Sequence, residues 1–281
     1  MLNMGWVDFS RSDRDMVLSV LRQLTEPGAM DELGIGTVRD AFSDVFFPGT
    51  STIQTRAKYL FLIPYICLEL ERGGKLSPAK FIEAMEQQEL DLISVLNVDG
   101  AEGVIGSRSQ QTLRRKPSSI YWSALRTYGI FTEPLTMAEY AAMLYSERSA
   151  ADSRKLNGRR KSTEDDSGDD DDAGLTGASF WRVPAPVENW RSKSTISLTK
   201  TEAGFLREKI ISMPKTRDSL LALVLRENRR EFVGFTELDD VETLQDTMPQ
   251  DMWRDFCLAR DFSRFVYGAQ LRYNVIYSES L

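Results

Sequence analysis

The sequence predicts a mainly α-helical protein, a multi-helix body in two lobes that a disordered acidic loop separates. Apolar residues recur at three- and four-residue spacing in most segments, which is the period of an amphipathic helix. The alternation of apolar and polar residues that marks a half-buried strand is nearly absent, so we expect few or no short strands. One internal stretch combines many charges with almost no apolar residues, which is typical of a disordered segment.

Four helices are predicted in the first hundred residues. The first runs over about 12–24, the second over about 37–46 and the third over about 51–70. Pro-Gly or Gly-Gly pairs follow these three helices, since both pairs terminate helices. The fourth begins at Ser77-Pro78, a capping residue followed by proline at the first helical position, and ends near Asn97.

The second half of the chain contains further helix signals. Capping boxes, in which a Thr and a Glu three residues later each bond to the other's backbone, are predicted at Thr136–Glu139 and Thr199–Glu202. Other helices are predicted over the following segments: 118–128, 219–228 and 252–267. Residues 181–183 and 232–235 are the two places where a short extended piece is expected.

The predicted loop divides the chain into lobes at 1–147 and 197–281, with the second lobe packing on the first. The loop spans 148–196 and is expected to be disordered over 150–175. Seven acidic residues lie in 164–172, so a net charge of −7 minus these seven charges leaves zero for the rest of the chain. Two interpretations stay open: an acidic decoy or partner-binding tail, and a solvated linker.

Composition excludes several classes of protein. The chain has no histidine, which excludes Ser-His-Asp and Cys-His catalysis and any zinc or haem site bound by histidine. The net charge of −7 excludes a uniformly basic, histone-like nucleic-acid binder.

Cys67 and Cys257 lie among apolar residues without CxxC spacing, which indicates buried thiols in a reducing compartment. A disulfide or a metal pair is the alternative.

No targeting or membrane segment is predicted. The N-terminus lacks both the basic and the apolar region of a secretory signal. The longest apolar run, 59–68, is about half of the roughly 20 residues that a bilayer requires, and it contains Pro64. We therefore expect a cytoplasmic protein without a membrane partner, in which this run forms a buried helix kinked at the proline.

One segment, 103–132, has no acidic residue and is the best candidate for a binding surface. Its cations are Arg108, Arg114, Arg115, Lys116 and Arg126. Three of them precede the predicted helix start at Ser118 and Ser119, where free backbone amides attract anions. Tyr121 and Trp122 follow, as in sites that stack single-stranded bases. The segment predicts phosphate or nucleic-acid binding; the alternative is that the aromatic residues are core and the arginines pair with acids.

Two further cations, Arg56 and Lys58, stand at the entrance to the most apolar helix. They are added to the predicted nucleic-acid site as phosphate contacts. The alternative is that they extend along the helix to solvent or pair with Asp40 or Asp44.

No cofactor or metal site is predicted. The Gly34-Ile35-Gly36 sequence follows no strand, and Gly73-Gly74-Lys75 lacks the remaining residues of a phosphate-binding loop. Asp40 and Asp44 lie one helical turn apart, and more carboxylates occur at Glu237, Asp239 and Asp240. This spacing is common, so a metal-dependent nuclease is kept only as an alternative.

Several segments together resemble an uncharacterised bacterial family, classed as a domain of unknown function. They are Gly5-Trp6-Val7-Asp8-Phe9-Ser10, Asp31-Glu32-Leu33-Gly34-Ile35-Gly36, Phe47-Pro48-Gly49-Thr50-Ser51 with Thr55-Arg56-Ala57-Lys58-Tyr59, Pro117-Ser118-Ser119-Ile120-Tyr121-Trp122, and Phe262-Ser263 with Gly268-Ala269 and Tyr273-Asn274. The resemblance implies a protein encoded in prokaryotic anti-phage defence loci, beside helicase-like and phospholipase-D-like nuclease proteins. It implies no reaction, and it implies that other members are longer than this chain.

The expected function is that of a non-catalytic adaptor subunit in an anti-phage defence complex, which binds DNA through the basic segment. Helicase-like or nuclease proteins of the same locus are the expected partners, by resemblance alone. The alternatives are a protein-interaction scaffold that does not touch nucleic acid, and a metal-dependent nuclease.

Overall fold

Amphipathic segments fold into an all-α structure in the computed structural model, which describes residues 34–161 and 180–279. The helices are, in chain order, α1 (Ile35–Phe46), α2 (Tyr59–Arg72), α3 (Pro78–Leu96), α4 (Pro117–Thr127), α5 (Met137–Lys161), α6 (Trp190–Lys193), α7 (Lys200–Ser212), α8 (Leu220–Arg226) and α9 (Gln250–Glu279). Short 3₁₀ segments occur at Val98–Gly100, Gln110–Thr112, Arg230–Gly234 and Leu238–Thr247. The predicted helix over 12–24 and the acidic run 164–172 lie outside the described residues.

Helix α2 is the most buried element, as its apolar sequence predicts. Ten of its fourteen residues are buried, including Pro64 within the helix. The prediction placed its start at residue 51, but the helix begins at Tyr59. The backbone amides of Thr55 and Arg56 donate to the Tyr121 hydroxyl at 2.8 and 3.0 Å, so they are not available for helical hydrogen bonds.

Most helix starts agree with the capping signals. Helix α3 follows Ser77, which is extended, and carries Pro78 at its first position. The Thr199–Glu202 capping box is confirmed, since the Glu202 amide donates to Thr199 Oγ1 at 3.2 Å and the Thr199 amide donates to Glu202 Oε2 at 2.8 Å. The Thr136–Glu139 pair makes the same two bonds at the start of α5.

Helices α2, α3 and α4 share one hydrophobic core with α5, α7 and the segment 180–190. Leu206 and Ile210 of α7 belong to this core, so residues from both sides of the predicted loop contribute to it. The ring centroid of Phe131 lies 4.8 Å from that of Trp181 and 5.0 Å from that of Trp122. An isolated bridge between Phe131 and Trp181 is the only β-pairing in the part of the chain that the structure describes.

Both ends of the predicted loop 148–196 are structured. Helix α5 continues to Lys161, and Trp181 and Trp190 are each 5% exposed in the core. The Trp190 indole donates to Glu69, and the Arg191 guanidinium also bonds to that carboxylate. Residues 180–196 of the predicted loop are therefore structured, because two tryptophans in this polar stretch supply the apolar surface that anchors it.

The described residues fall into two compact units: 43–257, and a second unit that joins the segment ending at Phe42 with the segment beginning at Leu258. This division differs from the predicted lobes, because residues on both sides of the loop share the core of the larger unit. In the second unit, α9 continues far beyond the predicted residue 267. Among the described helices, none combines the length and apolar content needed to cross a membrane.

Candidate nucleic-acid interface

The N-terminus of α4, where an external anion was expected, holds a carboxyl group of the chain itself. The Ser118 amide donates to Glu89 Oε1 at 2.5 Å, and Ser118 Oγ lies 2.9 Å from Glu89 Oε2. Ser118 is fully buried and Glu89 is 3% exposed. The predicted role of Ser118 in phosphate binding is therefore wrong, because this helix terminus already has its partner.

Burial dominates the chemistry of Glu89. It raises the pKa of the carboxyl group from its ordinary 4.5 to about 8, although the hydrogen bonds from Ser118 favour the ionised form. Glu86 adds to the rise in pKa and Lys116 opposes it. The sequence does contain a signal for this residue, since Glu89 interrupts the apolar stripe of α3 four residues after Met85 and three before Leu92.

The predicted stacking residues are part of the core. Tyr121 is 2% exposed and Trp122 is 8% exposed, so neither ring is free to stack on a base. The Tyr121 hydroxyl donates to the Arg56 carbonyl at 2.9 Å, and the Trp122 indole donates to the Leu135 carbonyl at 2.9 Å. The stacking prediction is wrong, and the alternative that these aromatic residues fill the core is confirmed.

Lys58 is also not available to phosphate. Its ammonium group lies 2.7 and 2.8 Å from the two carboxylate oxygens of Glu202, and both side chains are buried. The predicted pairing with Asp40 or Asp44 is wrong as well, since the partner comes from the capping box of α7. Arg56 is half-exposed, and its guanidinium bonds to the Glu102 carbonyl at 3.0 Å and approaches the Glu102 carboxylate at 3.6 Å.

What remains of the predicted site is the exposed basic loop, which we define as residues 107–116. Arg108, Arg114 and Arg115 are exposed on it, and in the described part of the chain they take part in no ion pair. Lys116 is half-buried and donates to the Leu113 carbonyl at 2.6 Å. Ser119, at the foot of the loop, is exposed and bonds to the Lys116 carbonyl.

The basic loop is anchored at both ends. Before it, the Ile105 amide donates to the Tyr59 hydroxyl at 2.8 Å. Gly106 has a φ of +86°, and a Cβ there would lie 2.7 Å from Ile93, so the backbone turns tightly against α3. At its far end, Leu113 packs on the core and Pro117 begins α4. These contacts hold the arginines on a defined surface.

The last of the seven predicted cations, Arg126, belongs to a different environment. It is half-buried in the last turn of α4. Its charge contributes to the lowered pKa of Glu139, which is set mainly by hydrogen bonds from Thr136. Arg126 is therefore not a free cation of the basic loop.

The carboxylates proposed for a nuclease do not assemble. Asp40 and Asp44 are exposed on α1, and Asp40 pairs with the neighbouring Arg39 at 2.8 Å. Asp240 accepts hydrogen bonds from the amides of Thr236 and Glu237 and so caps a 3₁₀ segment. Within the residues the structure describes, no group of three or more acidic or cysteine side chains is arranged to bind a metal ion. Cys67 and Cys257 are free thiols.

The basic loop can neutralise phosphate charges through its three exposed arginines. Arginine binds phosphate through two parallel hydrogen bonds, and three exposed guanidinium groups on one loop match a nucleic-acid backbone. Contacts to phosphate fix the position of a nucleic acid but carry no sequence information. Phosphate binding by this loop would therefore be independent of sequence.

A family model described as a family of unknown function (DUF6361) matches residues 1–280. No curated protein and no solved structure matches the chain.

Proposed function

The chain belongs to a family of unknown function, DUF6361, and from this premise we propose that it is a non-catalytic subunit that binds the phosphate backbone of DNA through the basic loop. The observation that carries the proposal is the exposure of Arg108, Arg114 and Arg115 without an ion-pair partner among the described residues. The loop itself has no acidic residue to pair with these arginines, so their guanidinium groups are available to the oxygens of a phosphate.

The charge distribution supports the same interpretation. The segment 103–132 carries +5, although the whole chain is at −7. A local positive field attracts polyanions despite an opposite net charge, because salt screens charges beyond about 10 Å at 0.1 M ionic strength. Association should therefore depend on this loop and on salt concentration.

The proposed biological setting extends the resemblance found in the sequence. We place the protein in the bacterial cytoplasm, as an adaptor subunit of an anti-phage defence complex with helicase-like or nuclease partners. Only the sequence resemblance supports these partners. An adaptor needs a surface that binds another protein. The apolar side chains exposed on the second half of α9 provide such a surface.

The test is a fluorescence-anisotropy titration of labelled double-stranded DNA at several salt concentrations. The variant R108Q/R114Q/R115Q should bind more weakly, and the slope of log affinity against log salt should fall by about three, one unit for each lost phosphate contact. The matched control, R72Q/R217Q/R254Q, removes the same charge from exposed arginines elsewhere in the chain and should bind as the wild type does.

Equal loss in both variants would mean that only net charge matters and would reject the basic loop as the site. If the wild type does not bind DNA at low salt, the proposal fails and the protein-interaction scaffold becomes the favoured alternative. Single-stranded DNA and RNA in the same titration show whether binding requires a duplex.

A further inference from the structure

A cleft of about 440 Å³ opens in the unit formed by 43–257. Its walls are the segment 50–57, the start of α2, the end of α4, and helices α7 and α8. The volume lies within the range of small-molecule sites, roughly 300–1,000 Å³. The sequence patterns gave no indication of this cleft, because it is assembled from residues that are far apart in the chain.

The floor of the cleft is aliphatic. It is lined by Leu60, Leu206, Ile210, Leu221 and Leu225. An open cleft leaves part of this apolar surface in contact with water, and an apolar group that fills it gains the free energy of removing that surface from water. The floor therefore favours a hydrocarbon body over a polar one.

Two arginines stand at the cleft, and none of the described residues that line it is acidic. Arg207 is exposed on α7 and donates to the Leu225 carbonyl at 3.0 Å, which leaves part of its guanidinium free. Arg56 is held against the Glu102 carbonyl, and Gly103 allows this approach, since a Cβ there would lie 2.6 Å from Arg56 Nε. The carboxylate of Glu102, which approaches Arg56 at 3.6 Å, is 94% exposed and therefore strongly solvated.

Tyr128 adds a polar group inside the cleft. Its side chain is 3% exposed and lines the cleft, and its hydroxyl group has no hydrogen-bond partner in the described part of the chain. Burial raises its pKa to about 12, so the hydroxyl stays protonated and can donate. Among the described residues no buried polar side-chain atom lacks a partner, so this hydroxyl faces the open cleft, where it can donate to a ligand that accepts a hydrogen bond.

From these features we infer that the cleft binds a small amphiphile, an apolar chain that ends in a single anionic group. The aliphatic floor takes the chain. Arg56, Arg207 and the Tyr128 hydroxyl bind the anionic end, which is a carboxylate or a phosphate. This site is separate from the proposed DNA contact, because Arg207 and Tyr128 lie outside the basic loop.

The experiment is isothermal titration of the protein with three probes that share one chain: octanoate, 1-octanol and octylammonium. Octanoate should bind about tenfold more tightly than 1-octanol, since the two arginines favour only the anion. Octylammonium should bind most weakly, because the cleft repels a cation.

Three variants locate the site. A203F places a ring into the cleft from an exposed position on α7 and should abolish octanoate binding. R207Q should reduce the preference for octanoate over 1-octanol and leave 1-octanol binding unchanged. Y128F should weaken octanoate binding by removing the hydrogen bond. The matched control is R217Q, which removes an exposed arginine outside the cleft and should bind octanoate as the wild type does.

Equal affinity for octanoate and 1-octanol would overturn the anionic part of the inference, and wild-type binding by a folded A203F would overturn the site itself. If A203F does not fold, R207Q decides. The R108Q/R114Q/R115Q variant should bind octanoate normally, so the failure of the DNA proposal and the failure of this one give different results.

Discussion

At the scale of single residues, the chain satisfies its buried charges internally. Glu89 accepts a hydrogen bond from Ser118 at the start of α4, and Lys58 forms an ion pair with Glu202 in the core. Ser118 and Lys58 are therefore buried, although the sequence predicted both as phosphate contacts. Burying an ionisable group is costly unless the group is paired or neutral. Lys58 is paired with Glu202, and the raised pKa of Glu89 keeps its carboxyl group mostly neutral at pH 7.

Glu89 makes the stability of the protein dependent on pH. Because its folded pKa of about 8 exceeds the ordinary 4.5, its contribution to stability is complete below pH 4.5 and is lost as the pH rises through 8. Within this window the free energy of unfolding should fall by about 1.4 kcal/mol per pH unit from this group. The variant E89Q, neutral at every pH, should not show this component in urea unfolding at pH 5–9.

The control is E83Q, at an exposed position on the same helix, which should follow the wild-type pH profile. A difference between E89Q and wild type that stays constant across pH 5–9 would contradict the raised pKa. The amide of Gln can still accept a bond from the Ser118 backbone, so the fold should persist.

At the scale of helices, the two capping boxes differ in burial. Glu202, at the third position of α7, is 6% exposed, whereas Thr136 and Glu139 lie on the surface at the start of α5. The capping bond to the Glu202 amide is part-buried, whereas that to the Glu139 amide is exposed, so water replaces a lost bond more readily in α5 than in α7.

Loss of the α7 cap should therefore lower the free energy of unfolding more than loss of the α5 cap does. We expect T199A to lower the free energy of unfolding by about 2 kcal/mol and T136A by about 0.5 kcal/mol, the two ends of the range for helix caps. Chemical denaturation of both variants measures the two losses. Equal losses would show that burial of the box has no effect.

Local signals explain why the helices could be predicted and the site could not. Ser77-Pro78 and the two Thr-Glu pairs act within one turn, so the sequence contains the whole cause of those helix starts. The late start of α2 depends on Tyr121, which lies more than sixty residues away. The burial of Tyr121 and Trp122 likewise depends on long-range packing, which a list of charged and aromatic residues does not contain.

At the scale of the whole molecule, the net charge has two opposing parts, the basic segment and the acidic run 164–172. Replacing the seven acids of that run by Asn and Gln changes the formal charge from −7 to zero, the chain length being unchanged. If the acids act as a decoy for the basic loop, this variant should bind DNA more tightly at low salt and equally at high salt, where charges are screened. The anisotropy titration described above measures the effect.

The contrary result rejects the decoy. Unchanged affinity at low salt would leave a partner-binding tail or a solvated linker as the role of the acidic run.

The buried carboxyl group has a thermodynamic consequence in a chain that lacks histidine. At neutral pH the folded protein holds a proton on Glu89 that the unfolded chain does not hold, so global unfolding releases close to one proton to the buffer. The heat absorbed on melting then includes the heat with which the buffer takes up that proton. The calorimetric enthalpy should therefore differ between phosphate and Tris at the same pH, and a single carboxyl group supplies the proton coupling that histidine provides in most proteins.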